Sequence, residues 1–239
     1  MIENYIVLDL EMTGLSAKND QILEIGAIKI QNNQIVDKFE ALVNPKCPIP
    51  ERVTELTGIT DEMAKKGLDR DETVAKLLDF IEDAVLVGHN VVFDYSFLKQ
   101  WAVNHKRPLE LKACDTLKLA RILLPPEQPK KLENLCTYFQ IERNREHRAM
   151  DDAEETWQIF EKLKKLAEER ENAKTYLEPK PLIYKAKKQT PATKKQMEQL
   201  KAYREKHGIT DEIVWETLTR SEASRKMDRY KSMVNSNLD

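Results

Sequence analysis

Apolar and polar positions along the chain follow two rhythms, and the switch between them divides it. Tyr5–Leu10, Gln21–Ile30 and Gln34–Val43 are rich in β-branched residues and predict strands. The second run, ILEIGAIKI, alternates only loosely, as a strand packed on both faces does. The polar Gln31-Asn32-Asn33 join predicts a hairpin turn and hence an antiparallel meander. Pro45, Pro48 and Pro50 then end strand character. Glu51–Thr60 (ERVTELTGIT) predicts one helical turn stopped by Gly58.

From Asp71 the spacing becomes helical, with Val74, Leu77, Leu78 and Ile81 on one face and Asp71 as the expected N-cap. Ala84–Gly88 predicts a short buried strand, closed by His89-Asn90. A helix is expected next, carrying Phe93, Phe97, Leu98 and Trp101 up to His105. Leu111–Asp115 predicts a further strand, followed by a helix to Leu124. Pro125-Pro126 break the chain before a short helix with Leu132, Leu135 and Phe139. His147–Leu166 predicts a long amphipathic helix with Ala153, Trp157, Phe160 and Leu163 inward. A three-strand meander followed by alternating strands and helices indicates an α/β fold, a mixed five-stranded sheet flanked by helices. Reactive groups in such sheets gather at the carboxyl ends of strands. Asp9, His89 and Asp115 all fall there.

Composition excludes several classes. With 41% hydrophobic and 33% charged residues the chain is neither disordered nor membrane-embedded. No apolar run approaches the roughly 18 residues of a spanning helix, and no basic segment precedes an apolar one as in a signal peptide. Cys47, Cys114 and Cys136 are widely spaced in apolar surroundings, and are expected to be reduced core thiols of a cytoplasmic protein. The net charge of −2 hides an asymmetry: residues 173–239 carry 15 Lys/Arg against 9 Asp/Glu. The body is therefore acidic and the tail basic, which suits an enzyme that gathers charge around metals and leaves anion binding to an appendage. A basic tail is also a common means of staying solvated.

Three motifs carry candidate chemistry. In Tyr5–Gly14 (YIVLDLEMTG) an apolar run ends in Asp9 and Glu11, which the two-residue period puts on one face. Buried carboxylates there need a cationic partner, and hard divalent ions suit them; surface carboxylates at a strand end are the alternative. Gly88–Asp94 (GHNVVFD) sets Asp94 one turn past a buried strand end, as a ligand or as a first-turn acid favoured by the helix dipole. Glu146–Ala153 (EHRAMDDA) opens the last long helix with His147, Asp151 and Asp152, again open to a capping reading. His89 is expected to be a hydrogen-bonded structural residue, and His105 and His207 to sit at helix ends.

In order and context these motifs resemble the DEDDh family of 3′→5′ exonucleases, from Tyr5 to Leu166 and including Leu56–Thr60 (LTGIT) and Asp115-Thr116. The resemblance is strongest to the proofreading exonucleases of bacterial DNA polymerase III. It implies an RNase H-like fold and two Mg²⁺ ions, with Mn²⁺ able to substitute, held by Asp9, Glu11, Asp94 and Asp152. It implies His147 as general base, and nucleoside 5′-monophosphates released from single-stranded 3′ ends. Asp152 rather than the adjacent Asp151 matches the family ligand. Thr13, Gly14 and Leu15 are expected near the terminal nucleotide, glycine allowing close approach. Asn90, Phe93 and Ile59 are further substrate candidates, with Phe93 and Ile59 equally open to a core role. Met12 replaces a threonine of many proofreading members, and DLEMTGL also resembles oligoribonucleases. DNA is favoured as substrate, with RNA as the alternative. A non-catalytic nucleic-acid-binding scaffold is the reading from another class, opposed by the intact carboxylates and histidine.

The expected organisation is an exonuclease domain over 1–172, a basic Pro/Lys-rich linker over 173–192, and a small all-α module over 193–235. In that module Thr193 and Gln196 form a capping box, and His207-Gly208 stops the first helix. A short helix is expected at Ile213–Leu218, and a third capped by Ser221. Thr190–Gln196 and Leu218–Ser224 resemble a helical module appended to some nucleases. Its lysines and arginines fit either phosphate contact or docking to a replication or repair protein.

Overall fold

The computed structural model describes every residue except 1, 144–146, 212, 217 and 237–239, and no side chains at 235 and 236. Strands β1 (Tyr5–Met12), β2 (Ile22–Gln31) and β3 (Gln34–Asn44) form the expected meander. Asn32 and Asn33, at φ 50° and 59°, make the left-handed pair that a two-residue hairpin turn requires. Then follow α1 (Glu51–Thr57), α2 (Asp61–Lys65), the two-residue β4 (Leu68–Asp69) and α3 (Arg70–Ile81). Next come β5 (Leu86–Gly88), α4 (Val92–Asn104), β6 (Lys112–Asp115), α5 (Thr116–Leu123) and α6 (Leu132–Phe139). The body ends in α7 (Ala149–Glu168), α8 (Ala173–Tyr176) and the two-residue β7 (Lys180–Pro181). The sheet order is β4-β3-β2-β1-β5-β6-β7, so β4 and β7 flank the five expected strands as short edges.

The central strand β1 separates two cores. Ile6, Leu8, Leu10 and Met12 point into one, with Val74, Leu77 and Ile81 of α3 and Leu98 and Ala102 of α4. Tyr5 and Val7 point into the other, with Leu119 of α5, Cys136 of α6 and Phe160 and Leu163 of α7. Asp9 and Glu11 continue the Tyr5–Val7 face and so look toward α7. Two anchors fix that helix. At one end the Tyr5 ring meets Phe160 edge-on at 5.1 Å, and its hydroxyl donates to Glu161 at 2.7 Å. At the other, a Cβ on Gly26 would lie 2.2 Å from the Ala149 carbonyl oxygen, so only glycine admits the helix start against β2.

The chain divides into two compact units, Met1–Ala186 and Lys187–Asp239. The stretch expected as linker is therefore not uniform. Leu177 and Leu182 are buried in the first unit, and β7 pairs with β6. The second unit holds α9 (Lys194–His207) and α10 (Arg220–Ser236) around Leu200, Leu218, Ala223 and Tyr230.

Several local expectations change. Asp69, not Asp71, caps α3 by accepting from the Asp71 and Glu72 amides. Asp71 instead receives the Trp101 indole N–H at 2.9 Å. Cys47 is exposed in the bend after β3, whereas Cys114 and Cys136 are buried thiols. Thr193 and Gln196 form the expected capping box, and Gly208 ends α9 in left-handed conformation. Thr219 rather than Ser221 caps α10, exchanging bonds with Glu222. The helix expected at 213–218 is a turn at Trp215-Glu216, Thr217 lying outside the described residues. Trp215 is held there by Lys201, 4.9 Å above its ring.

The Gly26–Ala149 contact gives a direct test. Gly26→Ala is expected to destabilise the first unit by about 1–3 kcal/mol through overpacking, read as a lower urea midpoint. An unchanged midpoint would show that α7 is not seated there.

Candidate active site

Three elements bring carboxylates to the carboxyl end of β1. Asp9 and Glu11 stand on one face of that strand, opposite Gly26 and Glu24 of β2. Asp94 comes from the first turn of α4. Strand β5 pairs with β1 only at Ile6 and Val7. The Leu10 N–H, beyond that pairing, is taken by Asp94 Oδ1 at 3.1 Å. Asp152 comes from the first turn of α7, preceded by His147. One ligand-capable atom from each of Glu11, His147 and Asp152 lies within 4.8 Å of the others. Of the quoted motif, Glu146 lies outside the described residues.

The electrostatics follow from this crowding. Burial raises Asp9 well above the usual carboxylate range, and the charges of Asp94, Asp152, Glu11 and Glu24 add to it. Burial, then Asp152, Glu24 and Asp94, push Glu11 up to about 8, with Arg148 opposing. Burial pushes Asp94 to about 8 against the two backbone N–H groups that favour its ionised form. Asp152 rises to about 7 through burial and Glu155, opposed by Arg143. Four clustered oxygen-donor groups that repel one another once ionised fit hard divalent cations, which favour carboxylate ligands.

The other expected residues are more varied. Thr13 is buried and engaged with its own chain: its Oγ1 accepts from the Gln21 amide at 2.9 Å. A Cβ on Gly14 would lie 2.5 Å from the Asp20 carboxylate, so this glycine serves internal packing. Leu15 is 75% exposed beside it. Asn90 is exposed at φ 65°, and its N–H donates to Asp115 Oδ1. Phe93 is half-buried, edge-on to Phe97 at 5.6 Å. Ile59 is fully buried with Leu23, Ile49 and Val53, so its side chain belongs to a core. Met12 is buried in the opposite core to the carboxylates. His89 meets Thr116 Oγ1 at 2.9 Å, in line with a structural role.

Sequence reasoning passed over the groups that hold the motifs in place. Glu24 is 2% exposed and accepts from Arg148 Nε and Nη2 and from the Ala149 amide. Glu155, 3% exposed, accepts from Arg143 Nε at 3.0 Å, and Arg143 Nη2 reaches Asp152 at 3.5 Å. One carboxylate inside the apolar run ILEIGAI was the readable sign of Glu24.

The family model described as "Exonuclease" (RNase_T) matches residues 6–160. The "DNA polymerase III PolC-type" of Caldanaerobacter subterraneus is 45% identical over 165 residues, covering 69% of this chain and 12% of that protein. This chain thus spans about an eighth of the length of the curated relatives it matches. Among solved structures, the nuclease domain of 3′hExo, "a DEDDh family member, bound to rAMP", has a TM-score of 0.61 at 18% identity, covering 76% of this chain and 98% of that one. "Exonuclease X in complex with 5′ overhanging duplex DNA" has a TM-score of 0.54 at 21% identity, covering 67% and 91%. At such identities these two show the fold alone. The chain belongs to the RNase T-type exonuclease family. Among the described residues no helix is long and apolar enough to cross a membrane.

The raised carboxyl values set the pH dependence of the metal-free protein. Glu11, Asp94 and Asp152 hold their protons to about pH 7–8 in the native chain but ionise near 4 when unfolded. The native state binds more protons between those limits, so this contribution to stability is present below about pH 4 and is lost as pH rises toward 8. In EDTA at pH 8, Asp94→Asn is expected to be more stable than wild type by about 1–3 kcal/mol, the gap closing toward pH 4. A variant less stable than wild type at pH 8 would contradict this.

Proposed function

We propose that the enzyme hydrolyses the terminal phosphodiester of single-stranded nucleic acid, DNA preferentially, using Asp9, Glu11, Asp94 and Asp152 as ligands of two Mg²⁺ ions and His147 as general base. The observation that carries this reading is the meeting of Glu11, His147 and Asp152 within 4.8 Å, beside Asp9 and Asp94. Divalent ions held there, Mn²⁺ as well as Mg²⁺, would polarise the attacking water and stabilise the departing 3′-oxygen of an in-line displacement. His147 takes one proton from that water as its oxygen bonds to phosphorus. The bond from phosphorus to the penultimate 3′-oxygen breaks, releasing a nucleoside 5′-monophosphate. Leu15, exposed beside the buried Thr13-Gly14 turn, and the exposed Asn90 are the side chains available to a terminal nucleotide. Phe93 contributes its partly exposed edge.

The PolC-type relatives are named as DNA polymerases and Exonuclease X was solved with DNA, which supports DNA and a proofreading role with a replication partner. The rAMP bound to 3′hExo keeps RNA as the second reading. A cytoplasmic setting fits both readings and the buried free thiols of Cys114 and Cys136.

On a 3′-labelled oligonucleotide, Asp9→Ala is expected to lose at least about a thousandfold in rate, and EDTA to abolish cleavage. Equal mononucleotide release by wild type and variant would end the metal reading. Matched DNA and RNA substrates decide between the two polymers by the ratio of kcat/KM.

Residues 187–239 are proposed as an accessory module that contacts the sugar-phosphate backbone, docking to a protein being the rival. Lys194, Lys195, Arg225 and Arg229 are exposed. Truncation belongs after Ala186, because an earlier cut removes β7 and the buried Leu182. Removing 187–239 is expected to weaken single-strand binding and flatten its salt dependence by about 0.7 log unit per lost phosphate contact. An unchanged salt slope would favour the protein partner.

A further inference from the structure

We propose that Glu24 and Arg148 form a clamp that positions His147; the proposal rests on the reading of His147 as the base. His147 sits at φ 55°, the left-handed region that disfavours a residue with a Cβ. Such a conformation persists only where its surroundings fix it. The next residue, Arg148, is extended at φ −124°, ψ 119°, and is the N-cap of α7 without a side-chain cap bond of its own. Glu24 of β2 supplies what the cap lacks. Its carboxylate accepts the Ala149 N–H at 2.9 Å, Arg148 Nε at 3.1 Å and Arg148 Nη2 at 2.5 Å. The carboxylate belongs to a strand more than a hundred residues upstream, so the sheet takes part in orienting His147.

The contacts divide the labour between two residues of α7. The Ala149 N–H bond to Glu24, the Asp152 N–H bond to the Arg148 carbonyl at 2.9 Å and the Gly26 contact hold the helix start, and with it Asp152. None of these needs the Arg148 guanidinium. The guanidinium fixes the residue beside His147. Arg148 is therefore a positioning residue for the base, and Glu24 is its anchor.

A double-mutant cycle in the full chain tests this. Arg148→Met is expected to lower kcat on a single-stranded oligonucleotide about 10- to 100-fold. KM is expected to stay within about twofold. Because Arg148 also lowers the Glu11 pKa, Mn²⁺ binding is compared in Arg148→Lys, which keeps the charge, and by calorimetry without substrate is expected to stay within about twofold of wild type. In a His147→Ala background the same substitution is expected to cost nothing further, because the group it positions is gone. Arg148→Lys keeps the charge without the paired geometry and is expected to fall between. It replaces the methionine variant in the cycle should that variant not fold by circular dichroism. Losses that multiply in the double mutant, or Mn²⁺ binding that weakens in step with kcat in Arg148→Lys, would overturn the proposal and leave Arg148 a general structural residue. A fully active His147→Ala would overturn the base reading itself, and is seen in its own arm of the cycle.

Discussion

Mutual repulsion among carboxylates gathered at the end of one buried strand is the constraint to which the rest of the first unit answers. Asp9 and Glu11 lie on β1, and Asp94 and Asp152 reach them from helices on different segments of the chain. Bringing four such groups together costs folding free energy whenever they are ionised. A bound cation relieves that repulsion, and holding divalent ions is the use proposed for the cluster. The fold holds the cluster at its back: Leu10 N–H supports Asp94, while Arg143 and Arg148 bring positive charge to the α7 side.

The same requirement explains the seating of α7. A helix whose first turn must come up against β2 needs a partner strand with nothing in the way and something to hold it. Gly26 meets the first need and Glu24 the second. At its far end the helix is tied by Tyr5 to Phe160 and Glu161. The helix, and with it Asp152, is thus placed by contacts with β2 at its start and β1 further along.

Much of this was legible in the amino-acid sequence, for physical reasons. The meander, the order of strands and helices, and the four carboxylates with His147 all carry local signals: period-two runs, turn residues, and acids at strand and helix ends. What stayed hidden depends on non-local contacts. Glu24 and Arg148 are remote along the chain, and β4 and β7 are two-residue edges that exist only through their neighbours. The helix expected at Ile213–Leu218 had the right apolar spacing but is a turn at Trp215-Glu216. Met12, where the choice between DNA and RNA looked most open, turns its side chain into the core opposite the carboxylates.

Asp9, Glu11, Asp94 and Asp152 are proposed to hold a pair of divalent ions. Anomalous diffraction from crystals grown with Mn²⁺ tests it most directly. The account expects two anomalous peaks about 4 Å apart, ligated by Asp9, Glu11, Asp94 and Asp152. A protein that cleaves oligonucleotides under those conditions with no anomalous density at these residues would contradict it.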